Sequence, residues 1–201
     1  MTKPPTYAEL RGKLGTAGTE TERRLYFAAI LREACGILPE NFVVVGGSAI
    51  EIYTIGRYSS GDIDIVTDDG PRVQTVLLRW EFERVSRIWV NEDLGLVVDL
   101  VKPPYTGSAE KTTLMPTPFG QVRLAAVEDL FVKRLISTKF WKVPGDIEHA
   151  KMLALSFDGT MDWNYIESYA RREDVLDLVI QMRAALRKRA GSKGPGRTVS
   201  S

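Results

Sequence analysis

Phe42-Val43-Val44-Val45-Gly46-Gly47-Ser48 and, after a short intervening segment, Asp62-Ile63-Asp64-Ile65-Val66 carry more chemical information than any other part of the chain. Val43 to Val45 is a continuous β-branched run, the pattern of a strand buried on both faces. Gly46-Gly47 lets the backbone turn sharply and approach a ligand with no Cβ in the way. Ser48 then stands where it would cap a short helix, Ala49 to Tyr53, whose first N–H groups and positive dipole end suit phosphate oxygens. Along the second run side chains alternate, so Asp62 and Asp64 share one strand face and Ile63 and Ile65 the other. Two carboxylates on one face repel unless a cation lies between them. Magnesium prefers hard oxygen ligands and usually keeps substrate phosphates in its shell, so this pair calls for both a metal and a triphosphate.

Either half is commonplace alone: glycine pairs precede serine in many turns, and a solvated strand end explains Asp-x-Asp. Together they resemble the DNA polymerase β-like nucleotidyltransferase superfamily, in which Gly-Ser or Gly-Gly-Ser precedes Asp-x-Asp and a third carboxylate stands on a later strand. Leu94-Gly95-Leu96-Val97-Val98-Asp99-Leu100-Val101 offers that third group. It is an apolar strand interrupted by one charge, and an isolated aspartate there needs a partner or a metal.

The resemblance extends further. Ala49-Ile50-Glu51-Ile52-Tyr53 and Gly56-Arg57-Tyr58-Ser59-Ser60-Gly61 look like the branch of bacterial and archaeal proteins related to AbiEii and MenT-type toxins, which place an arginine and a hydroxyl residue before Asp-x-Asp. That branch also carries a helix opening Glu-Asp-Leu with a basic residue further along, then an aspartate opening another helix. Glu128-Asp129-Leu130-Phe131-Val132-Lys133-Arg134-Leu135 and Pro144-Gly145-Asp146-Ile147-Glu148-His149-Ala150 correspond, so the likeness runs from about Val43 to about Leu155. The toxins have lysine at the basic position, where this chain has Arg134 with Lys133 beside it. Val127, Leu130, Phe131 and Leu135 mark an inward stripe; Arg134 falls beside it and Lys133 nearly opposite, which favours Arg134 as the phosphate-facing base. Arginine grips phosphate as a planar fork and lysine as a point charge, so the substrate geometry need not match the toxins.

The resemblance implies an α/β (α+β) fold, a nucleotidyltransferase-type mixed β-sheet core with flanking helices, followed by a helical C-terminal half. It implies two magnesium ions held by Asp62, Asp64 and Asp99, with an NTP as substrate. Gly46, Gly47 and Ser48 would lie against the phosphates, with Arg57, Arg134 and Asp146 as further nucleotide-binding residues. A nucleoside monophosphate would pass to an acceptor hydroxyl and pyrophosphate would leave. Kinship to the toxins suggests an RNA 3′ end, such as that of tRNA, as acceptor and an antitoxin protein as partner. An antibiotic-type small molecule is the alternative acceptor, and a non-catalytic interaction module of the same fold is another. Plainer roles stand beside these: a salt bridge to a nearby aspartate for Arg57, a structural ion pair for Arg134 and Asp146, even with each other, and turn positions for Ser59 and Ser60.

Other chemistries fit poorly. Aspartyl-nucleophile phosphatases and many glycosyltransferases place Asp-x-Asp after an apolar strand, whereas here the apolar residues follow it. The three spaced glycines of a dinucleotide fold are missing, as is the Gly-Lys-Ser or Gly-Lys-Thr of a P-loop. Cys35 and His149 are the only residues of their kinds, too few for a zinc site, and His149 reads as a surface helix residue with no nucleophile elbow to serve. The lone cysteine excludes an internal disulfide and fits a reducing compartment. Neither a signal core nor an apolar run of about 18 residues is present, so no membrane is expected and the cytoplasm is the default.

At 201 residues and 44% hydrophobic the chain can bury a substantial core. The pattern predicts a helix capped by Thr19 in a box with Glu22 and stopped at Gly36, strand 42–45, the short helix, strand 62–67, a helix near 72–80 and strands near 85–90 and 95–101. Residues 102–120 read as a long loop leading to a hairpin strand that ends in Gln121-Val122-Arg123-Leu124. Helices are expected over 126–138, 145–157, 161–170 and 172–190. This gives a core with its N-terminal helix over 1–125, a helical region over 126–190 packed on it, and a disordered tail over 191–201. Net charge is +1, so nothing global points to nucleic acid. Arg183, Arg187, Lys188, Arg189, Lys193 and Arg197 follow the last acid, Asp177, and read first as a solvated helix end and then as an RNA-binding arm. Of Trp80, Trp89, Trp141 and Trp163, Trp141 is best placed to stack on a base.

Overall fold

The computed structural model describes residues 4–192, with side chains through 188, and the chain divides into two compact units, Met1–Val127 and Glu128–Ser201. The first unit opens with α1 (Tyr7–Leu14), a helix absent from the sequence expectation although Thr6 and Glu9 form its capping box. Helix α2 (Glu20–Cys35) begins at the expected cap: the Thr19 side chain accepts from the Glu22 N–H, and Gly36 ends the helix in the left-handed conformation at φ 61°. The Glu22 carboxylate instead accepts from the Gly18 N–H at 2.8 Å.

Next come β1 (Phe42–Val44), α3 (Gly46–Tyr53), β2 (Ile63–Thr67) and α4 (Gly70–Arg79), then β3 (Glu83–Val85), β4 (Ile88–Asn91), β5 (Leu96–Val101), β6 (Thr113–Thr117) and β7 (Gly120–Leu124). They form one seven-stranded mixed sheet in the order β3-β4-β5-β2-β1-β7-β6. β2 runs parallel to β5 and β1 parallel to β7, while the other neighbours are antiparallel. The single strand expected near 85–90 is a hairpin, because Ser86 turns the chain at φ 58°. The expected loop over 102–120 contains β6, whose pairing with β7 no local apolar run announces.

Ile63, Ile65, Leu96 and Val98 are buried on the sheet, with Ile63 paired to Val98 and Ile65 to Leu100 across the β2–β5 ladder. Phe27 of α2 packs against Trp80 and Phe82, at ring-centroid distances of 6.1 and 5.4 Å. Trp80 and Trp89 are thus core residues. Arg32 is buried as well, its guanidinium donating to the carbonyls of Gln121 and Ile37. Cys35 is buried, and burial pushes its thiol up to about 12, which removes it from nucleophilic chemistry.

The second unit is helical: α5 (Val127–Ile136), a π-helical turn over Ser137–Trp141, α6 (Asp146–Phe157), α7 (Trp163–Arg172) and α8 (Leu176–Ser192). Phe131 and Trp163 meet edge to face at 5.8 Å, and the Tyr165 hydroxyl donates to the buried Asp129 at 2.6 Å. The helix expected over 172–190 starts later, after Asp174 has turned the chain at φ 56°. Residues 191 and 192 are helical, and the rest of the expected tail, Lys193 and Arg197 included, lies outside the described residues. Arg183 is not a free basic charge, since it pairs with Glu167 and lies 4.8 Å over the Trp163 ring. Among the described residues no helix is long and apolar enough to cross a membrane.

Candidate active site

The parallel register of β2 on β5 sets Asp64 directly beside Asp99 on one face of the sheet. Asp62, two residues before Asp64, joins them, and one oxygen from each of the three carboxylates lies within 4.8 Å of the others. Like charges so placed are destabilising, and the site shows it. Asp64 is pushed up to about 6, first by burial and then by the charges of Asp62 and Asp99. Three hard, converging oxygens, one of them reluctant to ionise, are a donor set that fits a divalent cation such as magnesium.

The glycine turn abuts this cluster. Gly46 adopts φ +59°, and a Cβ there would come 2.3 Å from Oδ2 of Asp64. A Cβ on Gly47 would come 2.7 Å from Oγ of Ser60 and 3.1 Å from the Tyr58 hydroxyl. The close approach expected toward a ligand is thus first an approach to the chain's own acidic strand. The Gly47 N–H donates to Asp64 Oδ2 at 3.1 Å, and amides of Gly47 and Ser48 draw the Asp64 pKa down against the larger upward pull. In effect the N-terminus of α3 is aimed at a carboxylate.

Ser48 differs from expectation. α3 starts at Gly46 with Val45 as its N-cap, so Ser48 lies inside the first turn and does not cap it. The left-handed Gly46 lets the helix begin directly from the strand. The Ser48 hydroxyl is buried, donating to the Val45 carbonyl at 3.0 Å and accepting from the Asp64 N–H at 3.1 Å. It ties the turn to β2, and its only hydrogen is in use.

Three residues to which sequence reasoning gave no role in the site shape it. Glu51 is 2% exposed, pairs with Arg24 of α2, accepts from the Thr21 hydroxyl at 3.0 Å and holds the Ser60 N–H at 2.7 Å. Ser60, expected as a turn residue, is buried and donates to Asp62 Oδ1 at 3.2 Å. A lone charge in Ala49-Ile50-Glu51-Ile52 is the same signal that singled out Asp99. The third is Arg87, whose guanidinium lies 3.3 Å from Asp99 Oδ2. No sequence signal marks it, because its place follows from the β4–β5 register, which pairs Ile88 with Asp99.

Arg57 is exposed and makes no ion pair among the described residues. Arg134 and Asp146 belong to the second unit, where they pair with each other at 2.9 Å, the structural ion pair foreseen as their plainer role. His149 joins them, its Nδ1 3.2 Å from Asp146 Oδ1, so it is not simply a surface residue. The helical-phase argument that turned Lys133 outward does not hold. α5 buries Asp129 and Val132 besides Leu130, Phe131 and Leu135, and burial lowers the Lys133 pKa against an upward pull from Asp129.

No protein-family model matches the chain, and no curated protein does. Among solved structures, the solution structure of the antibiotic-resistance factor ANT(2'')-Ia is similar over 86% of this chain and 95% of that one, at 13% identity and a TM-score of 0.45. A likeness of that degree carries no argument about activity.

Proposed function

We propose that this protein is a metal-dependent nucleotidyltransferase that transfers a nucleoside monophosphate from an NTP to a hydroxyl acceptor. The observation that supports it best is the convergence of Asp62, Asp64 and Asp99 within 4.8 Å, against the first turn of a helix. Two magnesium ions, when bound, would neutralise phosphate charge and acidify the acceptor hydroxyl. Asp62 and Asp64 would hold the cation that carries the triphosphate, and Asp99 would help hold the second. Asp99 would also take the acceptor's proton as its oxygen attacks the α-phosphorus in line; the bond from that phosphorus to the bridging oxygen breaks, and pyrophosphate leaves.

In this reading Gly46, Gly47 and Ser48 contribute main-chain N–H groups to the β and γ phosphates, those of Gly47 and Ser48 released from Asp64 once it binds metal. The engaged hydroxyl of Ser48 takes no part. Arg57 compensates phosphate charge. Residues 1–125 form the catalytic core and 126–190 the helical region. For the acceptor we favour an RNA 3′ end, on the resemblance of the Gly56-Arg57-Tyr58-Ser59-Ser60-Gly61 segment to the toxin branch alone.

Purified protein incubated with each labelled NTP, magnesium and total RNA should give a labelled RNA, and a panel of hydroxylated small molecules tests the other acceptor class. Asp62→Ala combined with Asp64→Ala should abolish the product while the protein stays folded by circular dichroism. Absence of both labelled product and magnesium-dependent NTP binding in the unmodified protein would overturn the reading.

A further inference from the structure

Arg87 sits at the turn of the β3–β4 hairpin, next to Ser86 in its left-handed conformation. Its side chain is 82% exposed, whereas the Asp99 carboxylate that it touches is 10% exposed. A long, solvated side chain holding one oxygen of a nearly buried acid is the easily displaced member of that pair. A single contact from a solvated guanidinium holds Asp99 far less firmly than a divalent cation that three converging carboxylates can ligate.

We propose that Arg87 is an exchangeable cation of the acidic site: it neutralises Asp99 while no metal is bound, yields that carboxylate to the metal, and passes to the phosphates that the metal carries. This rests on the metal-site reading above. A guanidinium displaced from Asp99 stays beside the acidic cluster, and it can grip phosphate oxygens as a planar fork.

The exchange predicts effects of opposite sign from one substitution. Arg87→Gln should tighten binding of manganese alone by about two- to fivefold, the loss of a weak competitor. The same variant should weaken binding of tripolyphosphate in the presence of magnesium by about three- to tenfold, the loss of a charge-assisted fork. Arg87→Lys should leave manganese affinity close to that of the unmodified protein and lose part of the tripolyphosphate affinity. Arg84 lies on the same hairpin, with its Nε donating to the Ser86 carbonyl at 3.1 Å, so Arg84→Gln removes an equal charge and should change neither value. Manganese is followed by the electron paramagnetic resonance of the free ion and tripolyphosphate by calorimetry. Unchanged or weaker manganese binding in Arg87→Gln, unchanged tripolyphosphate binding, or equal shifts in Arg84→Gln would overturn the exchange while leaving the metal site standing. No manganese binding by any of these proteins would overturn both.

Discussion

A Cβ on Gly46 would collide with the carboxylate of Asp64, at 2.3 Å from Oδ2, while the residue itself sits at φ +59°. Gly46→Ala therefore meets two penalties, a left-handed backbone that costs an L-residue about 1–2 kcal/mol and the displacement of the Asp64 side chain from the acidic cluster. Urea unfolding should show a loss of roughly 2 kcal/mol or more, and manganese affinity should fall at least about tenfold. Gly61 faces open space, so Gly61→Ala is the matched control and should stay within about 0.5 kcal/mol of the original stability.

Asp64 makes stability depend on pH in an unusual direction for a carboxylate. Its pKa is raised from 3.8 to about 6, so the folded state holds a proton that the unfolded state releases. Its contribution is fully present below the unfolded pKa and is lost as pH rises through the folded one, that is, between about pH 4 and 6. Without metal, Asp64→Asn should flatten this decline and raise stability at pH 7.5 by on the order of 2 kcal/mol. Thermal denaturation of both proteins across pH 4–8 with EDTA checks it, and parallel curves would count against the electrostatic account.

The proposed metal must expel the same proton when it binds. Magnesium affinity should be nearly flat above about pH 7 and fall toward tenfold per unit below about pH 6. Calorimetry in buffers of different ionisation enthalpy should detect proton release near pH 6 that vanishes at pH 8.

Glu51 and Arg24 form a pair removed from water, and Glu51 also fixes the Ser60 N–H beside Asp62. Glu51→Ala leaves the guanidinium of Arg24 without its partner and should cost about 3–5 kcal/mol in urea unfolding. Arg24→Met with Glu51→Leu removes both charges and should cost clearly less. Equal losses in the two variants would mean that packing, not the pair, is what matters.

Much of the first unit was legible from local pattern. Thr19 and Gly36 bound α2, and the β-branched run before Gly46 forms a central strand, because caps, glycine conformation and side-chain alternation act over a few residues. The hairpins were less legible although each pairs neighbouring segments: no glycine or asparagine marks the turn at Ser86, β6 carries Pro116 and no alternating apolar pattern, and Lys133 defied a phase argument that assumes a helix buried on one stripe only.

For the site, the sequence alone supplied the three carboxylates, since alternation puts Asp62 beside Asp64 and a charge in an apolar strand marks Asp99. Only the tertiary structure decided what surrounds them: that Asp64 faces Asp99 in register, that the glycines make room for Asp64 itself, that Ser48 is bound into the turn, and that Glu51, Ser60 and Arg87 complete the cluster. The division has a physical reason. Which face of an element a side chain takes follows from backbone periodicity, a local property, whereas which charges meet is set by strand register and by the core that fixes it.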